Sequence, residues 1–298
     1  MATGKRVPAR RPQYMRLWRK GSSLRLQGRY SDAEPPLLEA LDLARRCGGG
    51  RTVEVAGILN ELGMLYKYLA RFEEAERVYQ RALSIARRAP RRNLSMIASL
   101  YHNLGGLEHA RGRHARGEPF ARLSISLREQ ACGLDHPDVA TDMAALAGLL
   151  DGQGRLDEAE QLYERALAIL ERQLGPEHAE LATSLNNLGA VQYRRRRMVE
   201  AKRFYRRALA LKQCALGREH PDVGVTLNNL AVLYKSTGEL SAAAKLFARA
   251  GRILEAAFGP KHPSVAACRE NARRILRNQR SELHGPPPVL AGYRKTKQ

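Results

Sequence analysis

Several features that are common in enzymes, membrane proteins and secreted proteins are missing from this chain of 298 residues. It has no run of 18 apolar residues, which excludes a membrane-spanning helix. Its four cysteines form no CxxC pair, which argues against a zinc site or a disulfide framework. Walker loops, GxSxG elbows, HExxH helices and dinucleotide fingerprints are also absent. We therefore expect no catalytic residues, no cofactor and no bound metal.

Acidic residues are scarce at the two ends of the chain. Residues 1–20 carry +7 and residues 269–298 carry +6 of a total net charge of +21. No apolar stretch follows the N-terminal charges, which argues against a signal peptide. Because the cysteines are also widely spaced, we expect a cytoplasmic protein. Organelle targeting by the basic N-terminal arm is the alternative.

What the chain does contain is a period of 42 residues. Two columns of small residues repeat without insertion or deletion, one from position 33 and one from position 40. A period of this length indicates an array of stacked units, not a globule with a central site. The first column consists of Ala33, Ala75, Gly117, Ala159, Ala201 and Ala243, and the second of Ala40, Ala82, Ser124, Ala166, Ala208 and Ala250.

Each copy reads as a helix, a turn and a second helix. In residues 181–218, apolar residues follow helical spacing on both sides of a short arginine-rich turn. Gly217 ends the second helix, since glycine tolerates the left-handed conformation at a helix C-terminus. His220-Pro221-Asp222 then opens the next helix, because proline and aspartate suit a first helical turn. The alternating pattern of a strand appears nowhere, so we predict an all-α fold.

The first copy departs from the pattern. Lys20 occupies a position where the other copies hold leucine. Pro35 and Pro36 are expected to disturb the second helix of this copy, since proline removes an N–H donor. A degenerate first copy would leave an apolar end open, which makes self-association one expectation.

These features resemble the tetratricopeptide repeat (TPR), in the 42-residue variety of kinesin light chains and nephrocystin-like proteins. The resemblance implies a right-handed superhelix, or α-solenoid, of six helix–turn–helix repeats followed by a C-terminal capping helix. It also implies a protein-binding scaffold or adaptor, although the repeat serves many unrelated systems. The strings that carry the resemblance are His136-Pro137-Asp138-Val139, Gly154-Arg155-Leu156-Asp157-Glu158-Ala159-Glu160 and His220-Pro221-Asp222-Val223, the last followed by Leu227-Asn228-Asn229-Leu230-Ala231-Val232-Leu233-Tyr234.

The period also divides the chain into segments. We expect a basic disordered arm, six repeats, one capping helix and a disordered basic tail that contains prolines. The expected bounds are 1–13 for the arm, 14–55, 56–97, 98–138, 139–180, 181–222 and 223–262 for the repeats, 263–280 for the capping helix and 281–298 for the tail.

The resemblance implies that the first helix of each repeat lines the concave face. Asparagine recurs on that face although it is a poor helix former, so its recurrence has another reason. The amides could serve the backbone of an extended peptide, or they could bond the neighbouring helix and stabilise the array. Cations one turn further along suit an acidic peptide. The predicted groove consists of Asn60, Met64, Lys67, His102, Asn103, Asn186, Asn187, Tyr193, Arg194, Asn228, Asn229, Val232, Lys235, Asn271 and Arg274.

The fourth copy differs along this face, where it offers only Ala144, Ala145 and Gly148, with Asp151 beyond them. We expect a gap with small walls and a neutral to acidic character. A side chain of the partner, such as an aromatic one, would fit there.

Charge alternates strongly along the array. Residues 139–180 sum to −6, whereas residues 181–222 sum to +7. Attraction between solvated faces of neighbouring repeats is one interpretation. The alternative function is binding of a nucleic acid, namely RNA, through the basic ends of the chain and the arginines of the fifth copy. Aromatic residues make up only 6% of the chain, however, which leaves few side chains on which bases could stack. The arginines concerned are Arg194, Arg195, Arg196 and Arg197.

One histidine recurs in the loop between copies. The four positions are 42 residues apart, and packed helices alone are separated by about 8–10 Å. Metal–nitrogen bonds are about 2 Å long, so these rings cannot share one ion. We therefore predict a structural role in the loop for His136, His178, His220 and His262.

Overall fold

The computed structural model describes residues 10–48, 50–90 and 93–283. These residues form thirteen helices and no strand, which confirms the predicted all-α, repeat-built fold. The helices are α1 (Arg10–Leu26), α2 (Tyr30–Gly48), α3 (Val53–Tyr68), α4 (Phe72–Arg88), α5 (Leu94–Ala110), α6 (His114–Cys132), α7 (Pro137–Gly152), α8 (Leu156–Leu174), α9 (Leu181–Arg194), α10 (Met198–Leu216), α11 (Pro221–Ser236), α12 (Leu240–Phe258) and α13 (Pro263–Leu283).

Odd-numbered and even-numbered helices alternate as the first and second helix of six repeats, and α13 follows the sixth. The predicted bounds of the repeats stay a prediction, and the helices at the two ends reach beyond them. Helix α1 begins within the predicted arm, and α13 ends inside the predicted tail. Residues 1–9 of the arm and 284–298 of the tail lie outside the described residues.

The turn inside each repeat requires a positive φ at one position. Gly28 and Gly112 have φ of 75° and 70° there. Ala70 and Arg196 occupy the same position with φ of 58° and 62°, although side chains disfavour this conformation. The recurrence of glycine in this column therefore follows from the backbone geometry of the turn.

Both columns of small residues lie where helices cross. All of their alanines are fully buried. A Cβ on Gly117 would lie 2.5 Å from Cδ2 of Leu149 and 3.0 Å from the carbonyl oxygen of Gly105. Larger side chains would therefore force the helices apart. The space beside the crossings is filled by a buried aromatic column, namely Tyr79, Tyr163, Tyr205 and Phe247.

The expectation for Pro35 and Pro36 was wrong, because α2 runs through both. Proline has a fixed φ that suits a helix, and its cost is the lost hydrogen bond four residues back. The carbonyls left without these donors belong to Ser31 and Asp32, both exposed. Solvent can therefore satisfy them, and the helix continues.

The recurring loop histidines open the next helix. The Nδ1 atom of His136 accepts the amide of Asp138 at 3.1 Å. His178, His220 and His262 accept an amide two residues later in the same way, at 3.2–3.3 Å. This capping bond accounts for the period of the histidines without a metal.

The first repeat also touches the far end of the array. Since Nδ1 of His220 accepts the amide of Asp222, its Nε2 atom is the donor to the carbonyl of Leu26, at 2.9 Å. A Cβ on Gly28 would lie only 2.6 Å from Cδ of Pro221. The turn of the first repeat is thus pressed against the loop that precedes α11.

Aromatic rings extend this contact. Tyr30 stacks on Phe258 with ring centroids 5.3 Å apart and on Tyr68 at 5.0 Å. Phe258 stacks in turn on His262 at 4.4 Å. The turn inside the first repeat therefore contacts the loops that precede α11 and α13, in the way that successive turns of a superhelix contact each other. We call this the closure contact: Leu26, Gly28 and Tyr30 on one side, and His220, Pro221 and Phe258 on the other.

Candidate functional site

Amide side chains of neighbouring repeats bond to one another along the first helices. Nδ2 of Asn103 donates to Oδ1 of Asn60 at 2.8 Å, and Nδ2 of Asn229 donates to Oδ1 of Asn186 at 3.1 Å. Asn103 and Asn186 are each only 7% exposed. The structural interpretation of the asparagines therefore applies to these two pairs.

Other predicted amides are also partly used within the protein. Nδ2 of Asn186 donates to Oδ1 of Asn187 at 3.3 Å. Oδ1 of Asn228 accepts from Sγ of Cys268 at 3.3 Å, and Oδ1 of Asn271 accepts from Lys235 at 3.0 Å.

Three amide nitrogens of the predicted groove have no acceptor among the described residues, those of Asn60, Asn228 and Asn271, and the first two lie on first helices of repeats. Within the described part of the chain, Nδ2 of Asn60 and Nδ2 of Asn228 donate to no acceptor, and both residues are half-buried. They lie on α3 and α11, on the helices that the resemblance assigns to the concave face. Each can donate a hydrogen bond to a bound molecule.

A further column of mostly polar residues, 42 positions apart and starting at Arg25, lies near the end of each first helix. Its second member, Lys67, is half-buried and makes no hydrogen bond or ion pair among the described residues. Burial and the positive charge of Arg25 lower the pKa of Lys67, and Asp222 opposes this shift. Arg25 itself is paired with Glu61 at 2.8 Å. Lys67 is therefore a half-buried cation without a paired carboxylate, and its Nζ atom lies 5.6 Å from the ring centroid of Tyr68.

The next member of this column is His109, which the sequence analysis missed. Burial lowers its pKa first, and the nearby His114 and Lys67 lower it further. The ring lies beside the gap of the fourth copy, since a Cβ on Gly148 would be 3.7 Å from its Cε1 atom. An imidazole whose pKa is lowered thus borders the gap. Reading the 42-residue period from Lys67 would have identified both Arg25 and His109.

The acidic end of that gap is neutralised. Arg194 pairs with the carboxylate of Asp151 at 2.6 Å and also bonds its carbonyl. A Cβ on Gly148 would also lie 3.2 Å from the hydroxyl of Tyr163, so side chains of this protein border the gap closely. A partner side chain in this gap stays a prediction.

The remaining predicted residues are of three kinds. Met64, Tyr193 and Val232 are half-buried and pack against apolar clusters. Arg274 is exposed on α13. His102 bonds Asp142 at 2.7 Å, and Asp142 is in turn bonded by Arg128 at 3.1 Å.

Arginines of the fifth repeat face acids of the fourth. Arg195 and Arg197 lie 3.1 Å and 3.5 Å from the carboxylate of Glu160. Arg207 pairs with Glu171 at 2.8 Å. Together with Arg194 and Asp151, these pairs favour attraction between neighbouring repeats as the reason for the alternating charge. They leave less free charge for a nucleic acid.

Neither a membrane span nor a metal cluster stands out in the described part of the chain. None of its helices combines the length and apolarity needed to cross a bilayer. No group of three or more His, Cys, Asp or Glu side chains in residues 10–48, 50–90 and 93–283 could hold a metal ion.

The tetratricopeptide repeat family model matches residues 13–88, 96–172, 150–213 and 193–256. No curated protein matches the chain in sequence. Similar solved structures include a Rap protein complexed with Competence and Sporulation Factor (15% identity, TM-score 0.62, 90% of this chain and 76% of that one). BtubC (BKLC) from P. vanneervenii is 23% identical, with a TM-score of 0.51 over 98% of this chain and 100% of that one. Kinesin light chain-type repeats from Podosopora anserina are 20% identical, with a TM-score of 0.48 over 68% of this chain and 97% of that one.

Proposed function

This chain belongs to the tetratricopeptide repeat family, and from that premise we propose that it is a scaffold that holds an extended acidic peptide in its concave groove. Proteins of this family bind protein partners, and the family is generally non-catalytic. We extend this to the present chain as a non-catalytic adaptor. The unpaired cysteines support a cytoplasmic location.

The observation that carries the proposal is unused hydrogen-bonding capacity on the first helices. Donors on a half-buried surface are open to solvent, and a bound molecule that offers acceptors can replace that water. The amide nitrogens of Asn60 and Asn228 and the ammonium group of Lys67 are half-buried donors that the rest of the described chain leaves unbonded. Backbone carbonyls of an extended peptide would accept from the two amides.

The acidic character of the partner rests on Lys67. Bringing an ammonium group out of water without a counter-charge is unfavourable, and its lowered pKa reflects that cost. A carboxylate placed beside Lys67 would form a charge-assisted hydrogen bond and raise the pKa of the lysine back toward its ordinary value. The neutral gap at Gly148 would take an uncharged side chain of the same peptide.

The closure contact sets a condition on entry. Because it joins the first repeat to the loops before α11 and α13, a peptide reaches Lys67 either along the superhelix axis or after the contact opens. The Rap protein complexed with Competence and Sporulation Factor is a fold-level precedent for a partner on such an array.

The test uses the full chain and two fluorescein-labelled peptides, one rich in Asp and Glu and the other its Asn and Gln counterpart. Anisotropy should show tighter binding of the acidic peptide. Asn60→Leu and Asn228→Leu should each weaken it about tenfold, which corresponds to the upper range of one hydrogen bond. Asn186 is less suitable, because both of its amide atoms bond other asparagines, whereas Asn60 and Asn228 each lose only the bond that Oδ1 accepts within the protein.

The matched control is Gln80→Leu, an exposed amide on the second helix of a repeat. It should bind the acidic peptide as the unsubstituted chain does. All variants should keep their helicity. Equal affinity of the Asn60 and Asn228 variants and the control would show that the partner binds elsewhere.

A further inference from the structure

A basic cavity lies between the first and second repeats, away from the groove. It has a volume of about 750 Å³. Its walls come from the loop between α2 and α3 and from the C-terminal half of α4. The lining contains three arginines and no acidic residue: Gly50, Arg51, Thr52, Arg81, Ser84, Ile85, Arg88, Ala89 and Pro90.

In the described part of the chain, no carboxylate pairs with the arginines that line this cavity. Within the described residues, the side chains of Arg51, Arg81 and Arg88 make no ion pair and no hydrogen bond. Arg45 on α2 lies close enough that burial and the charge of Arg81 both lower its pKa, while Asp42, which pairs with Arg46, opposes this shift. The Nε atom of Arg45 is buried without a partner. Four guanidinium groups thus share one region that holds unused donors.

In two later repeats the same place contains an ion pair. Positions 51, 81 and 88 recur every 42 residues. The loop position is Asp135 at the end of the third repeat and Glu219 at the end of the fifth, and its other members are Asn93, Glu177 and Lys261. Asp135 pairs with Arg172 at 2.7 Å, and Glu219 lies 3.8 Å from Arg249. An arginine at position 51 therefore has the opposite charge to the residue at these two junctions, each of which contains its own ion pair.

We propose that the junction at Arg51 is a binding site for a phosphate monoester, which takes the place of the missing carboxylate. Guanidinium forks match phosphate oxygens in pairs. A phosphate monoester carries about −1.5 to −2 at pH 7, so it offsets several arginines where one carboxylate offsets a single one. The cavity also has the size of an ordinary small-ligand site, about 300–1,000 Å³.

The local backbone supports an anion here. Helix α3 begins at Val53 beside the cavity, and Thr52 caps it by accepting the amide of Val55 at 3.3 Å. The amides of the first turn and the positive end of the helix dipole add to the field of the arginines. Ser84 lies between Arg81 and Arg88 on one face of α4, where its hydroxyl can donate to the same phosphate.

Calorimetric titration of the full chain with O-phosphoserine tests the proposal, with serine as the blank. One O-phosphoserine should bind per chain, and serine should not bind. Arg51→Asp introduces the carboxylate of the junctions at Asp135 and Glu219, so it should weaken O-phosphoserine binding at least about tenfold. The unfolding temperature of this variant should be unchanged or higher. Arg81→Gln combined with Arg88→Gln is the second variant, with the same expected loss.

A gain-of-site variant serves as the matched control. Asp135→Arg places an arginine beside Arg165 and Arg172, the counterparts of Arg81 and Arg88. It should bind a second O-phosphoserine. A phosphoserine peptide that binds more tightly than O-phosphoserine would assign the site to a protein-borne phosphate, and equal binding would assign it to a small free phosphate.

Two results would overturn the proposal. One is O-phosphoserine binding to Arg51→Asp with the affinity of the unsubstituted chain. The other is the absence of any difference between O-phosphoserine and serine. Neither bears on the groove, since no predicted groove residue lines this cavity.

Discussion

Replacing Gly28 with alanine should open the closure contact while the repeats stay folded. The new Cβ would lie 2.6 Å from Cδ and 2.8 Å from Cγ of Pro221. Carbon atoms in contact are about 3.5–4.0 Å apart, so the loop before α11 must retreat by about 1 Å. The bond from His220 to the carbonyl of Leu26, now 2.9 Å, would then be lost.

The magnitude follows from these two terms. Overpacking of this kind costs about 1–3 kcal/mol, and one hydrogen bond contributes about 0.5–1.5 kcal/mol. Even about 2 kcal/mol shifts the ratio of closed to open chains by a factor of roughly 30. Repeats in an array contact mainly their neighbours, so this free-energy cost should open the overall shape of the array without unfolding the individual repeats.

Gly112→Ala is the matched control. Gly112 is the same turn position two repeats later and has φ of 70° against 75° for Gly28, but no atom lies within 4 Å of the place that its Cβ would take. Both variants carry the same backbone cost of about 1–2 kcal/mol. Small-angle scattering should show a larger radius of gyration for Gly28→Ala only. Identical scattering curves for both variants would refute the closure contact.

Three further predictions concern stability and binding. Gly63→Ala would place a Cβ 2.3 Å from the ring of Tyr79 on α4, so the melting temperature of this variant should fall by several degrees. Gly251→Ala should melt like the unsubstituted chain, because the nearest atom to its Cβ would be 3.5 Å away. Equal melting temperatures for the two variants would contradict this packing. Burial lowers the pKa values of His109 and His262 in the folded chain. Below about pH 6.5 the unfolded chain therefore binds more protons than the folded chain, and the free energy of unfolding should decrease as the pH is lowered. Denaturant titrations should show a shallower fall when both are glutamine, and an unchanged slope would contradict it. Lys67→Met should raise the melting temperature, since it removes a half-buried unpaired cation, and should abolish the preference for the acidic peptide; retained preference would place the acid-binding cation elsewhere.

The repeat architecture could be predicted because each repeat must solve the same local problem. The alanine columns mark helix crossings, and the glycine column marks a turn with positive φ. Arg196 shows the limit of this reasoning, since its turn adopts the same conformation with a large side chain. Pro35 and Pro36 show a second limit, because exposed carbonyls make their lost hydrogen bonds tolerable.

The closure contact could not be predicted from the period. It depends on the small rotation between successive repeats, which accumulates over the array and is not encoded in any one column. His220 has the same loop motif as His136, yet only His220 is covered by the first repeat. The partners of the asparagines were likewise hidden, because a residue type shows its bonding capacity and not which neighbour takes it.

The most direct test of the central claim, that the concave groove holds the partner, is site-specific photo-cross-linking. A benzophenone side chain is placed at Val232, on a first helix in the predicted groove, and in a second variant at Gln80, which is exposed on a second helix. Irradiation with the labelled acidic peptide should give a covalent adduct from position 232 and none from position 80. An adduct only from position 80, or equal adducts from both, would contradict the account.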